Sequence, residues 1–478
     1  MGRPTGLYSV KPNWQPNRDA AFSDKERFSF VTSIDSTTAP TPDEIHFREA
    51  TEVLVGGMSG AARENAALGR PMLAARGDGA RIIASDGTEY LDFFTGFGAT
   101  ILGHNDPGVR AAIEQALNLG LVHGPETIHQ PELARQLTQL VPCADLIRFA
   151  NSGSEATMVA LRAARAHTGR SKILKFEGHF HGLQEHVLYS THPPPREPAP
   201  GALLEPTIDS AGIPRAFADL VVVAPWNDLA AAERAFEQHD LAAVIMEPIN
   251  YNAGCLVADG NYMQAVRDMS TRHGTVLIYD EVLSGFRTGT DCGQGYCGVT
   301  PDMALLGKAV ANGVPLAVIA GRREVMETFS PLGPTAHSGT YSGHLFGVLA
   351  ALATLDRLRS PGFYDGPDGI LARGAYFYDG LRDIFARHGI CCRVQGLGPR
   401  FSLYFGLDPD IEVQVYQDIV GHDFAMLNRF VRACIDERVY LHSYDIVVGH
   451  HGFSAAHGRA ELAEALEKID TACSKLGG

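Results

Sequence analysis

TVLIYDEVLSGFR, residues 275–287, is an apolar run that stops on two acids. From Val276 to Tyr279 no charged residue interrupts it, the pattern of a strand covered on both faces, and Asp280-Glu281 mark its carboxyl end. An acid at the end of a buried strand costs several kcal/mol unless something pairs with it, so Asp280 is expected to face a cation or a protonated ring nitrogen. Three arrangements meet that demand: Mg²⁺ in a nucleotide hydrolase, a structural ion pair, or the pyridinium nitrogen of pyridoxal phosphate. The first needs a G-x-x-x-x-G-K-[ST] loop. Gly307-Lys308 is the only Gly-Lys pair, with Asp302 in place of the first Gly and Ala309 in place of Ser or Thr, so a nucleotide hydrolase is set aside.

Downstream, Lys308 lies in MALLGKAVANGVPLAVIAG (303–321), nineteen residues with no other charge. Such a setting suits a lysine desolvated into a cleft, where its pKa falls and it can form a Schiff base. The 28 residues from Asp280 to Lys308 are enough for one crossover between neighbouring strand ends. Further out, short apolar runs alternate with amphipathic helical patterns. Strands are expected at Leu146–Phe149, Lys172–Phe176, Leu220–Val223, Ala242–Met246, Thr275–Tyr279, Met303–Leu306 and Leu316–Ala320, with helices such as Glu155–His167 and Tyr262–His273. This predicts an α/β fold with a large, mostly parallel sheet whose ligands bind beyond the carboxyl ends of the strands.

The first of those runs leads into Asn151-Ser152-Gly153-Ser154-Glu155-Ala156 and a helix with Ala156, Val159, Ala160 and Ala163 on one face. Two readings stand here: a phosphate cradle at a helix N-terminus, or only a well-capped helix. Other motifs fail in context. GQGYCG (293–298) neither follows a strand nor opens a helix, as a dinucleotide site would require. His179-Phe180-His181 could offer two zinc ligands, but no third is near in sequence, and no metal is expected. His442, His450, His451 and His457 read first as packed or solvated histidines.

Around this centre the chain has 478 residues, 45% hydrophobic and 20% charged, the make-up of a folded protein long enough for a large core. Its 55 acidic against 40 basic residues leave a charge of −15, which repels nucleic acid and anionic membranes. Eight cysteines are too sparse for a disulfide framework, no apolar run reaches the ~18 residues of a membrane span, and Gly6 breaks a myristoylation signal. A cytoplasmic enzyme acting on small molecules is the expectation. Residues 1–40 read as an extended arm, Thr41-Pro42-Asp43-Glu44 opens a helix, and RIIASDGTEYLDFF (81–94) is a hairpin turning at Asp86-Gly87. Helices at 345–358, 369–388, 420–437 and 459–475 flank a strand at Arg400–Phe405, giving a second, α+β region.

Together these segments resemble the class III aminotransferases, pyridoxal-phosphate enzymes of the aspartate-aminotransferase-like fold type I, and within them the glutamate-1-semialdehyde 2,1-aminomutase-like group. The resemblance runs from about residue 55 onward. It is carried in order by GHNDP (103–107), NSGSEA (151–156), KFEGHFHG (175–182), APWNDL (224–229), MEP (246–248), YDEVLSGFR (279–287), GVTPDMALLGK (298–308) and HSGTYSG (337–343). It implies that Lys308 forms the Schiff base with the cofactor and shuttles the proton, and that Asp280 keeps the ring nitrogen protonated. It further implies that Ser152, Gly153 and Ser154 bind the phosphate, that Phe180 and Val282 cover the two ring faces, that Glu247, matching the family's Glu-Pro pair among the cofactor-site residues, has either a structural or a site-ordering role, and that Thr340 reaches the phosphate of the partner chain in a homodimer. The implied division is an arm at 1–40, a large cofactor domain at 105–344, and a small domain from 41–104 and 345–478.

The departures from the pattern concern the substrate. Phe180 stands where the aminomutase-like group has Tyr. Gln395 in VQGLG replaces an Arg that clamps keto-acid carboxylates in many relatives, leaving Arg63 or Arg400 to take its place. YDIVVGHHGF (444–453) lacks the Glu of the aminomutase gating loop, and His344-Leu345 follows HSGTYSG where Asn-Pro is common. The expected reaction is a ping-pong transfer from an ω-, β- or simple amine donor to a keto acid or aldehyde, with an intramolecular aminomutase as the alternative and a cofactor-free scaffold as a third reading.

Overall fold

All seven apolar runs of the middle segment enter one sheet. The computed structural model describes residues 41–476 apart from Pro195 and Ile446; the expected arm at 1–40 lies outside the described residues. The chain opens with a helix at Pro42–Thr51, capped by Thr41, whose hydroxyl accepts from Glu44 N while Glu44 accepts from Thr41 N. Three strands follow, β1 (Ala74–Asp78), β2 (Arg81–Ala84) and β3 (Glu89–Asp92). The β2–β3 hairpin turns at Asp86-Gly87: Gly87 takes φ +87°, and Thr88 N donates to Asp86 Oδ1 at 2.8 Å.

The large sheet comprises β4 (Leu146–Ala150), β5 (Lys172–Phe176), β6 (Val221–Ala224), β7 (Leu241–Met246), β10 (Val276–Glu281), β11 (Met303–Leu306) and β12 (Ala317–Gly321), in the order β4-β12-β11-β10-β7-β5-β6. Between β7 and β10 the short strands β8 (Ile249–Asn250) and β9 (Leu256–Val257) make a separate ribbon. Only β12 runs against the other six. Alternation decides which side chain faces which layer. Ile173, Val223, Ile245, Ile278 and Leu305 pack with Ala156, Val159, Ala160 and Ala163 of the Gly153–Thr168 helix. Leu174, Val222, Val244 and Leu277 face a second core. With both faces covered, β6, β7, β10, β11 and β12 are buried at every position, which explains their apolar sequences, interrupted only by Asp280 and Glu281 at the end of β10.

The later part builds β13 (Cys392–Leu397), β14 (Arg400–Phe405), β15 (Val439–Tyr440) and β16 (His451–Gly452). β15 pairs with β3, joining segments far apart in the chain in one four-stranded sheet. On β14, Phe401, Leu403 and Phe405 enter the core beside Phe377 and Phe385. Arg400, Ser402 and Tyr404 take the opposite face and bond to Thr95, Gly449 and Gly254. The helix expected to start at 420 starts at Phe424, because Asp423 caps it by accepting from Met426 N at 2.8 Å. GQGYCG (293–298) lies largely within a short helix at Cys292–Cys297, where Gln294 Nε2 and Gly293 N satisfy buried Glu281.

Asn312 links the turn after Lys308 to the Leu102–Gly103 segment: it accepts from Leu102 N at 2.9 Å and donates to Gly103 O at 3.1 Å, with its own φ at +47°. Asn312→Ala leaves two buried backbone groups unpaired in a left-handed position. Chemical denaturation is expected to show a loss of about 2–4 kcal/mol; a change below about 0.5 kcal/mol would show that the link carries no stability.

Candidate active site

Parallel register brings the sequence-predicted groups together. Tyr279 of β10 lies beside Met246 of β7, so Glu247 emerges next to Asp280, and Asp280 itself lies beside Leu305 of β11, three residues before Lys308. Glu247 and Asp280 continue the alternation of Ile245 and Ile278, the side of the sheet that carries the Gly153–Thr168 helix. Past Leu306 the chain turns through Gly307 into a 3-10 turn at Lys308–Ala311, with Lys308 at φ +45°. A lysine gains nothing intrinsic from that left-handed conformation, which costs roughly 1–2 kcal/mol, so packing must hold it there.

Burial and neighbouring charge perturb Lys308 and Glu247. Burial pushes the Lys308 amine below the usual lysine range, while Glu247 and Asp280 hold it up. Burial, and then the neighbouring charge of Asp280, raise the Glu247 carboxyl. Glu247 accepts from Phe180 N at 2.9 Å and from Asn252 Nδ2 at 2.8 Å, and its own N–H donates to His179 Nδ1 at 3.0 Å. Asp280 accepts from Val282 N at 3.1 Å through one oxygen, and the other lies 2.8 Å from His181 Nδ1. His181 is wholly buried, which lowers its pKa against the opposing pull of Asp280, and among the described residues its Nε2 has no partner.

Ser152, Gly153 and Ser154 sit at the start of the long helix. Ser152 is the N-cap, accepting from Glu155 N at 3.2 Å, and Ser154 Oγ accepts from Leu183 N at 3.3 Å. A Cβ on Gly153 would stand 2.8 Å from a methyl of Val282, and one on Gly182 2.7 Å from Ser154 Cα, so only glycine leaves the loop this close to the strand ends. A cavity of about 290 Å³ is lined by every predicted cofactor residue except Thr340. These residues fit pyridoxal phosphate. The helix N-terminus offers unpaired N–H groups to a phosphate, Phe180 and Val282 offer ring contacts, Asp280 offers a carboxylate and Lys308 a desolvated amine.

The remaining predicted residues lie elsewhere. Thr340 is exposed and lines a second cavity of about 470 Å³ with Leu121, Gln130, Phe149 and His344. His344 is the N-cap of the Leu345–Leu358 helix, its Nδ1 accepting from Gly347 N at 3.3 Å, a role that accounts for its place after HSGTYSG. Arg63 is exposed, its guanidinium 5.7 Å from the Phe97 ring centroid. Arg400 is buried and bonds to Thr95 and to His450. Gln395 braces loops, donating to Cys255 O at 2.9 Å and Val413 O at 2.8 Å. Sequence reasoning missed His181 as the partner of Asp280, Asn252 as the partner of Glu247, and the meeting of His450 with Arg400. His181 reads in the sequence only as half of a zinc pair; the other two contacts each involve a loop residue, Asn252 or His450, that no spacing rule ties to its partner.

A family model described as aminotransferase class III matches residues 62–422. The chain is 36% identical over 429 residues to the glutamate-1-semialdehyde 2,1-aminomutase of Nitrosospira multiformis, covering 88% of this chain and 97% of that protein. Among solved structures, an omega-transaminase from Sphaerobacter thermophilus superposes with a TM-score of 0.85 at 31% identity, covering 92% of this chain and 98% of the other. A transaminase with pyridoxal phosphate bound superposes with a TM-score of 0.80 at 27% identity, covering 91% and 97%.

An opposite charge favours the protonated form, so Asp280 holds up both the Lys308 amine and the His181 ring. Asp280→Asn is expected to lower the pKa of Lys308. In cofactor-free protein, the pH midpoint for modification of Lys308 by trinitrobenzenesulfonate moves down; an upward move or none would contradict the charge arrangement.

Proposed function

The chain belongs to the class III aminotransferases, fold type I enzymes whose cofactor is pyridoxal phosphate, and from that premise we propose that it moves an amino group from an ω-, β- or simple amine to a keto acid or aldehyde in two ping-pong halves. The observation that carries this reading is a single half-buried lysine in one cavity with two carboxylates and a helix N-terminus. When bound, the cofactor supplies a carbonyl for the amine and a ring that draws electrons from the reacting carbon. Lys308 is its attachment point, and burial keeps the amine closer to its neutral, reactive form. Released from that attachment, Nζ can take a proton from the donor carbon and return it one position away. Asp280 holds a proton on the ring nitrogen, and His181 fixes its carboxylate from behind. Phe180 N and Asn252 point Glu247 across the same cavity.

The reading extends to assembly and location. Thr340 lines a cavity separate from that of Lys308, which supports its serving the phosphate of a partner subunit in a homodimer. The β3–β15 pairing supports one small domain from 41–104 and 345–478, with 105–344 as the cofactor domain. Eight free cysteines favour a reducing, cytoplasmic setting, and among the described residues no helix is long and apolar enough to cross a membrane.

The aminomutase alternative draws on the 36% identity to the Nitrosospira multiformis protein. An aminomutase converts one amino aldehyde without added acceptor, whereas the proposed transferase depends strictly on one. Lys308→Ala is expected to lower turnover by at least about 10²–10⁴-fold and to lose the visible absorbance of the lysine-bound cofactor; retention of both would refute the reading, and acceptor-free turnover would favour the mutase. For the shared site, mixing inactive Lys308→Ala and Thr340→Ala chains should form hybrid dimers that regain part of the activity. No recovery in verified hybrids would place Thr340 outside the partner's site.

A further inference from the structure

Lys175 of β5 is fully buried, and it does not line the Lys308 cavity. It lies beside Val223 of β6 and continues the alternation of Ile173, on the side of the sheet that carries the Gly153–Thr168 helix. Its ammonium donates to two backbone carbonyls, His179 O at 3.1 Å and Tyr189 O. Burial brings its pKa down to about 8, against the charges of Asp209, Glu247 and Glu177, which hold it up. Glu177, the nearest acid in the chain, is itself paired with Arg196 at 2.8 Å. A cation kept dry on carbonyls is costlier than an apolar side chain of the same volume, so packing alone gives no reason for a lysine here.

The two carbonyls stand at either end of one loop. Residues 177–188 form neither helix nor strand, and the chain closes on itself where Gly178 N donates to Ser190 O at 2.9 Å. Closed ends around an irregular excursion of this length make an Ω-type loop. Both residues at its neck hold left-handed angles, Gly178 at φ +79° and Ser190 at φ +50°, and the second is one that a residue with a Cβ does not favour. Lys175 ties both sides of that neck.

What the loop carries is the wall of the cavity. Phe180, His181 and Gly182 line it. Phe180 N donates to Glu247, His181 Nδ1 lies 2.8 Å from Asp280, and Leu183 N donates to Ser154 Oγ at the start of the long helix. All three contacts take their place from where the loop leaves the sheet and returns to it. We propose that Lys175 is a positioning residue: its ammonium keeps the neck of the 178–190 loop closed and so sets Phe180 and His181 against the cofactor. This rests on the aminotransferase reading for what the loop faces, and adds to it a residue outside the cavity.

Lys175→Met keeps the length of the side chain but removes the charge and both bonds, and the fold is expected to persist. In cofactor-free protein, hydrogen exchange followed by mass spectrometry should be at least tenfold faster in peptides from 178–190 and unchanged in β7 and β10. In holoenzyme the Kd for pyridoxal phosphate should rise at least tenfold, and the circular dichroism per bound cofactor should fall at least twofold as the Phe180 ring loses its fixed pose. Lys175→Arg keeps a cation with donors for both carbonyls and should stay within threefold of wild type in all three readouts; loss equal to that in Lys175→Met overturns the proposal. Wild-type exchange at 178–190 in Lys175→Met overturns it, and so does equal acceleration throughout the chain, the mark of a residue that only stabilises the fold. A loosened loop with unchanged cofactor affinity and dichroism overturns it as well. A wild-type chain that binds no pyridoxal phosphate, yet whose loop loosens in Lys175→Met, would sustain the clamp and sink the aminotransferase reading instead.

Discussion

The register of three parallel strands is the constraint on which the rest depends. Pairing Tyr279 with Met246 and Asp280 with Leu305 fixes where β7, β10 and β11 end relative to one another. A slip of one residue in β10 would turn Asp280 to the opposite face of the sheet, away from the helix that begins at Gly153. The apolar residues that hold this register are buried without exception, so the chemistry at the strand ends inherits its placement from the core beneath it. The functional charges need no direct salt bridge to be placed, and the stability of the sheet offsets the cost of keeping them dry.

That cost is visible in the groups themselves. Lys308 and Glu247 are both displaced toward their neutral forms by burial, and Lys308 also holds a left-handed backbone angle. Neutral partners such as Phe180 N, Asn252 and His181 supply the hydrogen bonds that buried carboxylates require. Arg287 and Arg400, buried outside the cavity lining, are likewise held by carbonyls, a hydroxyl and an imidazole.

Much of this was legible in the sequence because it follows from local rules. An unbroken apolar run marks a strand covered on both faces, an acid at its end marks the ligand side, and a charge-free stretch around Lys308 marks a desolvated amine. All seven expected strands form, with ends shifted by at most two residues where a turn or pairing partner extends them. What the sequence concealed was set by distant loops. His181 reads locally as half of a metal pair, yet it is the neighbour of Asp280, 99 residues away. Arg400 meets His450 across 50 residues, and Gln395, expected to bear on the substrate, is engaged with backbone groups outside the cavity. No periodicity encodes such meetings; they arise when sheet alternation and loop closure are complete.

The central claim is that one lysine, chosen by strand register and burial, carries the cofactor. Borohydride reduction of the protein loaded with pyridoxal phosphate, followed by peptide mass mapping, tests it directly. The account predicts a single modified peptide with the added mass on Lys308. Modification at Lys175, the fully buried lysine of β5, or at no lysine, would contradict it.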